Sequence, residues 1–272
     1  MKTHEISGGG GVRLHVAETG NSKGRPIVFL HGLSQCWLSW SRQMNSDLAD
    51  TFRLVAVDLR GHGLSDKPRE GYADSRLWAD DVQAVIEALD LDHPVLCGWS
   101  YGPLVILDYV RHHGEDNIRG INFVGGVTKL GSEEAASVLS QDFVALVPGF
   151  FSADAAESLG ALNSLLSLCF VRELAAEHRY LMLGYNMSVP AHVRQALLSR
   201  AFDNDDLLPT LRKPVLITHG ASDAVVKSTV IDQQMALIPN AKIQIMANAG
   251  HGCCWEDAPI YNRNLREFVS AL

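Results

Sequence analysis

Apolar positions along the chain fall into two recurring patterns, short continuous runs and runs spaced at helical intervals, and the two alternate. Pro26-Ile27-Val28-Phe29-Leu30 and Leu54-Val55-Ala56-Val57 are uninterrupted apolar stretches of buried-strand length. Between them, Trp37 to Leu48 has helical spacing. Asp74 to Leu89 places Leu77, Val82, Val85, Ile86 and Leu89 on one helical face and leads into the strand Pro94-Val95-Leu96-Cys97. A helix from Tyr101 to about His112 and a strand from Ile121 to Val124 follow, the strand ending at Gly125-Gly126. Near the amino terminus Val12, Leu14 and Val16 alternate with polar residues after Gly8-Gly9-Gly10-Gly11, which reads as the turn of a hairpin. That glycine run is not a phosphate loop, because no helix and no Lys-Ser/Thr ending follow it.

From Val127 to about Leu211 the alternation stops. Helical runs such as Glu133 to Leu146 and Ala155 to Phe170 are separated by Val147-Pro148-Gly149 and Ser188-Val189-Pro190, with no clear strand. Alternation resumes with Pro214 to Thr218, a helix near Ser228 to Leu237, a strand Lys242 to Met246 and a last helix near Tyr261 to Val269. Strands alternating with helices imply an α/β fold with a mostly parallel sheet covered on both faces. The expected organisation is a core of residues 1–126 and 212–272 with a helical insertion, 127–211, between strands six and seven. No internal repeat or low-complexity segment interrupts it.

Bulk properties narrow the function classes. A chain of 272 residues with 47% apolar content can bury a large core, and a net charge of -8 argues against nucleic acid or an anionic membrane surface as partner. The first residues lack a signal-like apolar stretch, and no segment reaches the roughly 18 apolar residues of a membrane span, so the cytoplasm is the expected compartment. Cys36, Cys97, Cys169, Cys253 and Cys254 are odd in number and unevenly spaced, which points to reduced thiols and to neither a disulfide framework nor a zinc site. Adjacent His112 and His113 point to different faces of a helix and do not form a metal-gripping pair. No metal, cofactor or macromolecular partner is implied, and the oligomeric state is not legible.

The chemistry centres on Gly98-Trp99-Ser100-Tyr101-Gly102, which follows an apolar strand. A serine forced into a tight strand-to-helix turn needs neighbours without side chains, and Gly98 and Gly102 provide them. Pro103 suits the first turn of the helix behind it. Taken singly, Asp223 in a Ser-Asp turn or His251 in Gly250-His251-Gly252 is ordinary turn chemistry. Jointly, each follows a strand of one parallel sheet, so Ser100, Asp223 and His251 meet at one sheet edge. His251 would take the Ser100 proton, and Asp223 would hold the imidazole tautomer and stabilise the imidazolium. Backbone N–H groups of Leu33, after the His31-Gly32 turn, and Tyr101, after the serine, are the expected donors to a developing oxyanion. Activity should rise with pH as His251 loses its proton. Trp37, Trp99, Tyr101, Val127, Val225 and Cys254 neighbour these positions and are candidates for the lining of an apolar pocket. His31, His62 and the loop Asp58 to Asp66 read as structural, and Cys253-Cys254 as buried small apolar residues.

These marks, together with Asp58-Leu59-Arg60-Gly61-His62-Gly63-Leu64-Ser65-Asp66 and His219-Gly220-x-x-Asp223, resemble the α/β-hydrolase fold enzymes. Within them the chain looks most like small esterases and cofactor-free haloperoxidase-like perhydrolases with a helical cap. The resemblance implies an eight-stranded sheet, a Ser-Asp-His triad and hydrolysis of a small ester, thioester or lactone through an acyl-enzyme, with 127–211 as a lid. Carbon-carbon bond hydrolysis, acyl transfer, perhydrolysis and slow-turnover ligand reception on the same fold stand as rival readings. Ser100 in place of an aspartate argues against haloalkane or epoxide chemistry. Two departures are noted: Pro103 stands where many relatives have glycine, and Cys253-Cys254 where they often have another apolar pair.

Overall fold

The apolar runs form the strands of a single sheet in a computed structural model that describes residues 1–272. Its eight strands are β1 (Lys2–Ser7), β2 (Arg13–Gly20), β3 (Pro26–Leu30), β4 (Arg53–Val57), β5 (Val95–Trp99), β6 (Gly120–Val124), β7 (Val215–Gly220) and β8 (Ala241–Met246). They are ordered β1-β2-β4-β3-β5-β6-β7-β8. β1 and β2 pair antiparallel, as does β2 with β4, and every later pairing is parallel. β3, β5, β6 and β7 are buried along their whole length, as strands covered on both faces must be.

Helices before the insertion are α1 (Ser41–Met44), α2 (Leu48–Thr51), α3 (Ser75–Ala88) and α4 (Gly102–His113). The insertion carries α5 (Glu133–Ser137), α6 (Gln141–Phe150), α7 (Ala155–Cys169), α8 (Ala176–Met187) and α9 (Ala191–Leu198); α10 (Thr229–Leu237), α11 (Cys253–Glu256) and α12 (Ala258–Ser270) complete the chain. Asp74 caps α3 by accepting from the Arg76 N–H at 2.9 Å, and α4 opens with Pro103 in its first turn. No helix is long and apolar enough to cross a membrane.

Three expectations change in detail. The helical spacing of Trp37 to Leu48 is realised as a 3-10 turn, Trp37–Trp40, and the short α1, with α2 beginning at Leu48. The run Glu133 to Leu146 is broken, because residues 138–140 pair with the segment after Asp223: Ser140 N–H donates to Val225 O at 2.9 Å and Lys227 N–H to Val138 O at 2.7 Å. Val147-Pro148-Gly149 is not a break and lies inside α6. Pro148 sits in the last turn, where the bond it cannot make falls on the carbonyl of exposed Val144. Gly149 is a packing residue, since a Cβ there would lie 2.6 Å from Ala161 Cβ on α7.

Candidate active site

Ser100 occupies the turn between β5 and α4 with φ of +59°, a left-handed conformation that costs a residue with a Cβ about 1–2 kcal/mol. The surroundings hold it there. Ser100 N–H donates to Val124 O at 2.9 Å, and its carbonyl accepts from Val127 N–H at 3.3 Å. A Cβ on Gly98 would stand 2.6 Å from the Gly102 carbonyl carbon, and one on Gly102 would stand 2.5 Å from Leu30 O. Both glycines are therefore required by close backbone approach. Pro103 is accommodated by another glycine: a Cβ on Gly126 would be 2.3 Å from Pro103 Cγ.

Asp223 and His251 come together from the turns after β7 and β8. His251 Nδ1 lies 2.9 Å from Asp223 Oδ2, and both side chains are almost fully buried. Asp223 Oδ1 accepts from the N–H groups of Val225 and Val226, each at 2.8 Å. Burial alone would raise the Asp223 pKa; the His251 charge and hydrogen bond, with His219 and the Val226 N–H, outweigh it and hold the carboxyl below its ordinary value. His219, whose part the sequence reading did not foresee, donates from Nε2 to Val226 O at 3.1 Å and lies 3.6 Å from Asp223 Oδ2. With Nδ1 engaged, His251 has Nε2 left for a proton. Its ring and Ser100 line the same cavity, without a hydrogen bond between them in this structure.

The turn after β3 frames the opposite side. Gly32 N–H donates to Gln35 Oε1 at 2.9 Å and Ser34 N–H to His62 Nε2 at 3.2 Å, whereas the N–H groups of Leu33 and Tyr101 donate to no protein acceptor. A Cβ on Gly32 would lie 2.9 Å from Ser100 Cβ, which brings this turn against the serine. His31 accepts from Leu59 N–H at 3.1 Å and donates to Gly32 O at 2.8 Å. His31 and His62 are thus hydrogen-bonded struts, and Asp58 is one as well, accepting from Trp37 N–H at 2.7 Å and Leu64 N–H at 2.9 Å. Arg60 forks onto buried Asp81 at 2.7 and 2.8 Å, tying this loop to α3.

The cavity, about 60 Å³, is walled by Leu33, Tyr101, Val127 and Val225 and by residues of the insertion. Leu130, Leu139, Phe143, Leu165, Cys169 and Leu198 complete that wall; their elements are separated in sequence, and no local motif marks them. Trp37, Trp99 and Cys254 are not in the wall, which corrects that part of the expected lining. Trp99 is buried beneath the histidine loop, its Nε1 donating to His251 O at 2.9 Å. The Trp37 ring lies 6.3 Å from that of His15, on the β2 side, and Cys254 is fully buried in the core. The side chain of Tyr101 also runs away from the serine: its hydroxyl accepts from Arg200 at 3.1 Å, and Arg200 in turn pairs with Asp108 at 2.7 Å. No cluster of three or more His, Cys, Asp or Glu side chains is arranged to hold a metal ion.

Comparison with known proteins agrees with this architecture. Residues 25–258 match the alpha/beta hydrolase fold family. The chain is 30% identical to the AB hydrolase superfamily protein YisY of Bacillus subtilis, covering 96% of each chain. It is 27% identical to the non-heme chloroperoxidase CPO-A1 of Kitasatospora aureofaciens, covering 96% of this chain and 97% of that one. The crystal structure of the esterase RhEst1 from Rhodococcus sp. ECU1013 superposes with a TM-score of 0.95 at 37% identity over the whole of both chains. The eight-stranded sheet, the turn that carries Ser100 and these similarities together establish that the chain is an enzyme belonging to the α/β-hydrolase fold family.

Proposed function

We propose that this enzyme is a serine hydrolase that cleaves a small, uncharged ester, thioester or lactone through an acyl-enzyme. The observation that carries the reading is the His251–Asp223 pair beside Ser100 in a mostly apolar cavity faced by two unengaged backbone N–H groups. Ser100 Oγ attacks the acyl carbon while His251 Nε2 accepts its proton, and Asp223 stabilises the imidazolium. The carbonyl oxygen gains negative charge and is met by the Leu33 and Tyr101 N–H groups, each donor contributing about 3 kcal/mol to the transition state. Collapse expels the alcohol, thiol or ring oxygen, which takes the proton from His251. Water, deprotonated by the same imidazole, then attacks the acyl-serine and releases the acid.

Substrate class follows from the wall. Apart from His251, the ionisable residues bordering the cavity are Cys169, whose thiol is buried, and Tyr101, whose hydroxyl is turned to Arg200, so an anionic acyl group would be desolvated without a cation to pair with. The acyl portion is apolar, and residues 127–211 form the cap that encloses it. A second reading, perhydrolysis, is favoured by the relatives that bear haloperoxidase names. It needs only that hydrogen peroxide replace water in attack on the acyl-serine.

The test is Ser100→Ala assayed on short p-nitrophenyl esters, with and without peroxide. Turnover is expected to fall by at least about a thousandfold, within the roughly millionfold cost of losing a nucleophilic serine. Retained turnover in the variant would overturn the mechanism. In the wild type, peroxyacid formation above the rate of hydrolysis would favour the second reading.

A further inference from the structure

Outside the candidate triad, one carboxylate is bound up with the histidine. Glu256 ends α11, and its side chain is 3% exposed. A carboxylate so buried requires hydrogen-bond donors. Those it finds are three backbone N–H groups: Gly250 at 2.7 Å on Oε2, and Val171 and Arg172 at 2.8 and 2.9 Å on Oε1. Gly250 immediately precedes His251. Val171 and Arg172 follow the end of α7, the helix whose Leu165 and Cys169 border the cavity. The carboxylate therefore clamps the histidine loop to the cap.

Other contacts run along the same seam. Gly252 N–H donates to Cys169 O at 2.8 Å. A Cβ on Gly250 would lie 2.9 Å from Cys169 O, and one on Gly252 would lie 2.3 Å from the Phe170 ring, so each glycine of the loop is pressed against the end of α7. The Arg172 guanidinium donates to the Glu256 carbonyl. On the far side, the Asp223 contact, the Trp99 hydrogen bond to its carbonyl and the Trp99 ring hold His251.

We propose that Glu256 is a positioning residue for this reaction: through Gly250 it sets the His251 ring, and through Val171 and Arg172 it makes the base and the α7 wall of the acyl pocket one rigid body. This rests on His251 being the base. An error of about 1 Å in the placement of a catalytic group can cost a hundredfold in rate. The acyl group that touches α7 therefore bears on the same unit that carries the base.

Glu256→Gln tests it, since the amide keeps the shape but presents a donor to one set of N–H groups. The expected result is a kcat ten- to a hundredfold lower with KM within about twofold. Residual acylation by an activated aryl ester is then compared in a His251→Ala background, where Glu256→Gln should cost nothing further. An equal loss in both backgrounds, or an unchanged kcat, would overturn the proposal. If Glu256→Gln does not fold, Arg172→Met takes its place, because that side chain is 60% exposed. It should lower kcat about twofold to fivefold only when His251 is present, and no change would overturn the proposal. Failure of the base assignment itself has a different signature: His251→Ala alone would keep the wild-type rate.

Discussion

Two buried imidazoles carry the backbone that flanks Ser100. His31 joins the turn after β3 to the loop after β4 through Leu59 N–H, and His62 joins them in the reverse direction through Ser34 N–H. The rings lie 4.9 Å apart and leave the Leu33 N–H between two fixed neighbours. Each ring nitrogen that accepts one of these bonds must be unprotonated. Burial pushes the His31 pKa from 6.5 down to about 4, against the opposing pull of Asp58, and holds His62 well below its ordinary value. The unfolded chain takes up the His31 proton near pH 6.5 and the folded chain only near 4. Stability from His31 is therefore complete above about pH 6.5 and is lost as the pH falls to 4, by about 3 kcal/mol in all. Urea unfolding of wild type and His31→Gln at pH 7 and 4.5 checks this: the difference between them should shrink on acidification. Parallel pH dependences would contradict it.

Among elements, the insertion supplies much of the cavity wall. Phe143 on α6 and Leu165 on α7 stand on its wall, and the strand-like pairing of residues 138–140 with 224–227 brings Leu139 beside Val225 and Val226. Phe143→Ala should lengthen the accepted acyl chain. The ratio of kcat/KM for octanoate to butyrate p-nitrophenyl esters should rise by about tenfold, the scale of a few apolar contacts in a pocket. An unchanged ratio would place the acyl site elsewhere. This part of the molecule was the least legible in sequence. Helical spacing identified the insertion, but Pro148 and Gly149 read as a break because local rules cannot anticipate that α7 packs close enough to require a glycine. Trp99, Trp37 and Cys254 neighbour the candidate catalytic positions in sequence, whereas their side chains are directed into the core or toward His15.

At the scale of the whole molecule, the sheet carries the candidate site because its strand ends bring distant residues together. The continuous apolar runs predicted β3 to β7, since a strand buried on both faces leaves that pattern whatever surrounds it. The placement of Ser100, Asp223 and His251 at one sheet edge is expected for a related reason: Ser100 directly follows β5, and Asp223 and His251 lie in the turns after β7 and β8, whose glycines or acid can be seen locally. The Glu256 contacts, the Arg200–Asp108 pair behind Tyr101 and the insertion side of the cavity join segments tens of residues apart, and no spacing rule reports them. The proposed function makes Ser100 an activated nucleophile. An alkyl fluorophosphonate followed by peptide mass mapping tests it most directly. The account predicts one phosphonyl group per chain, located on Ser100, in proportion to lost activity, and none at Ser100 in His251→Ala on the same time scale. Full inactivation with Ser100 unmodified would contradict it.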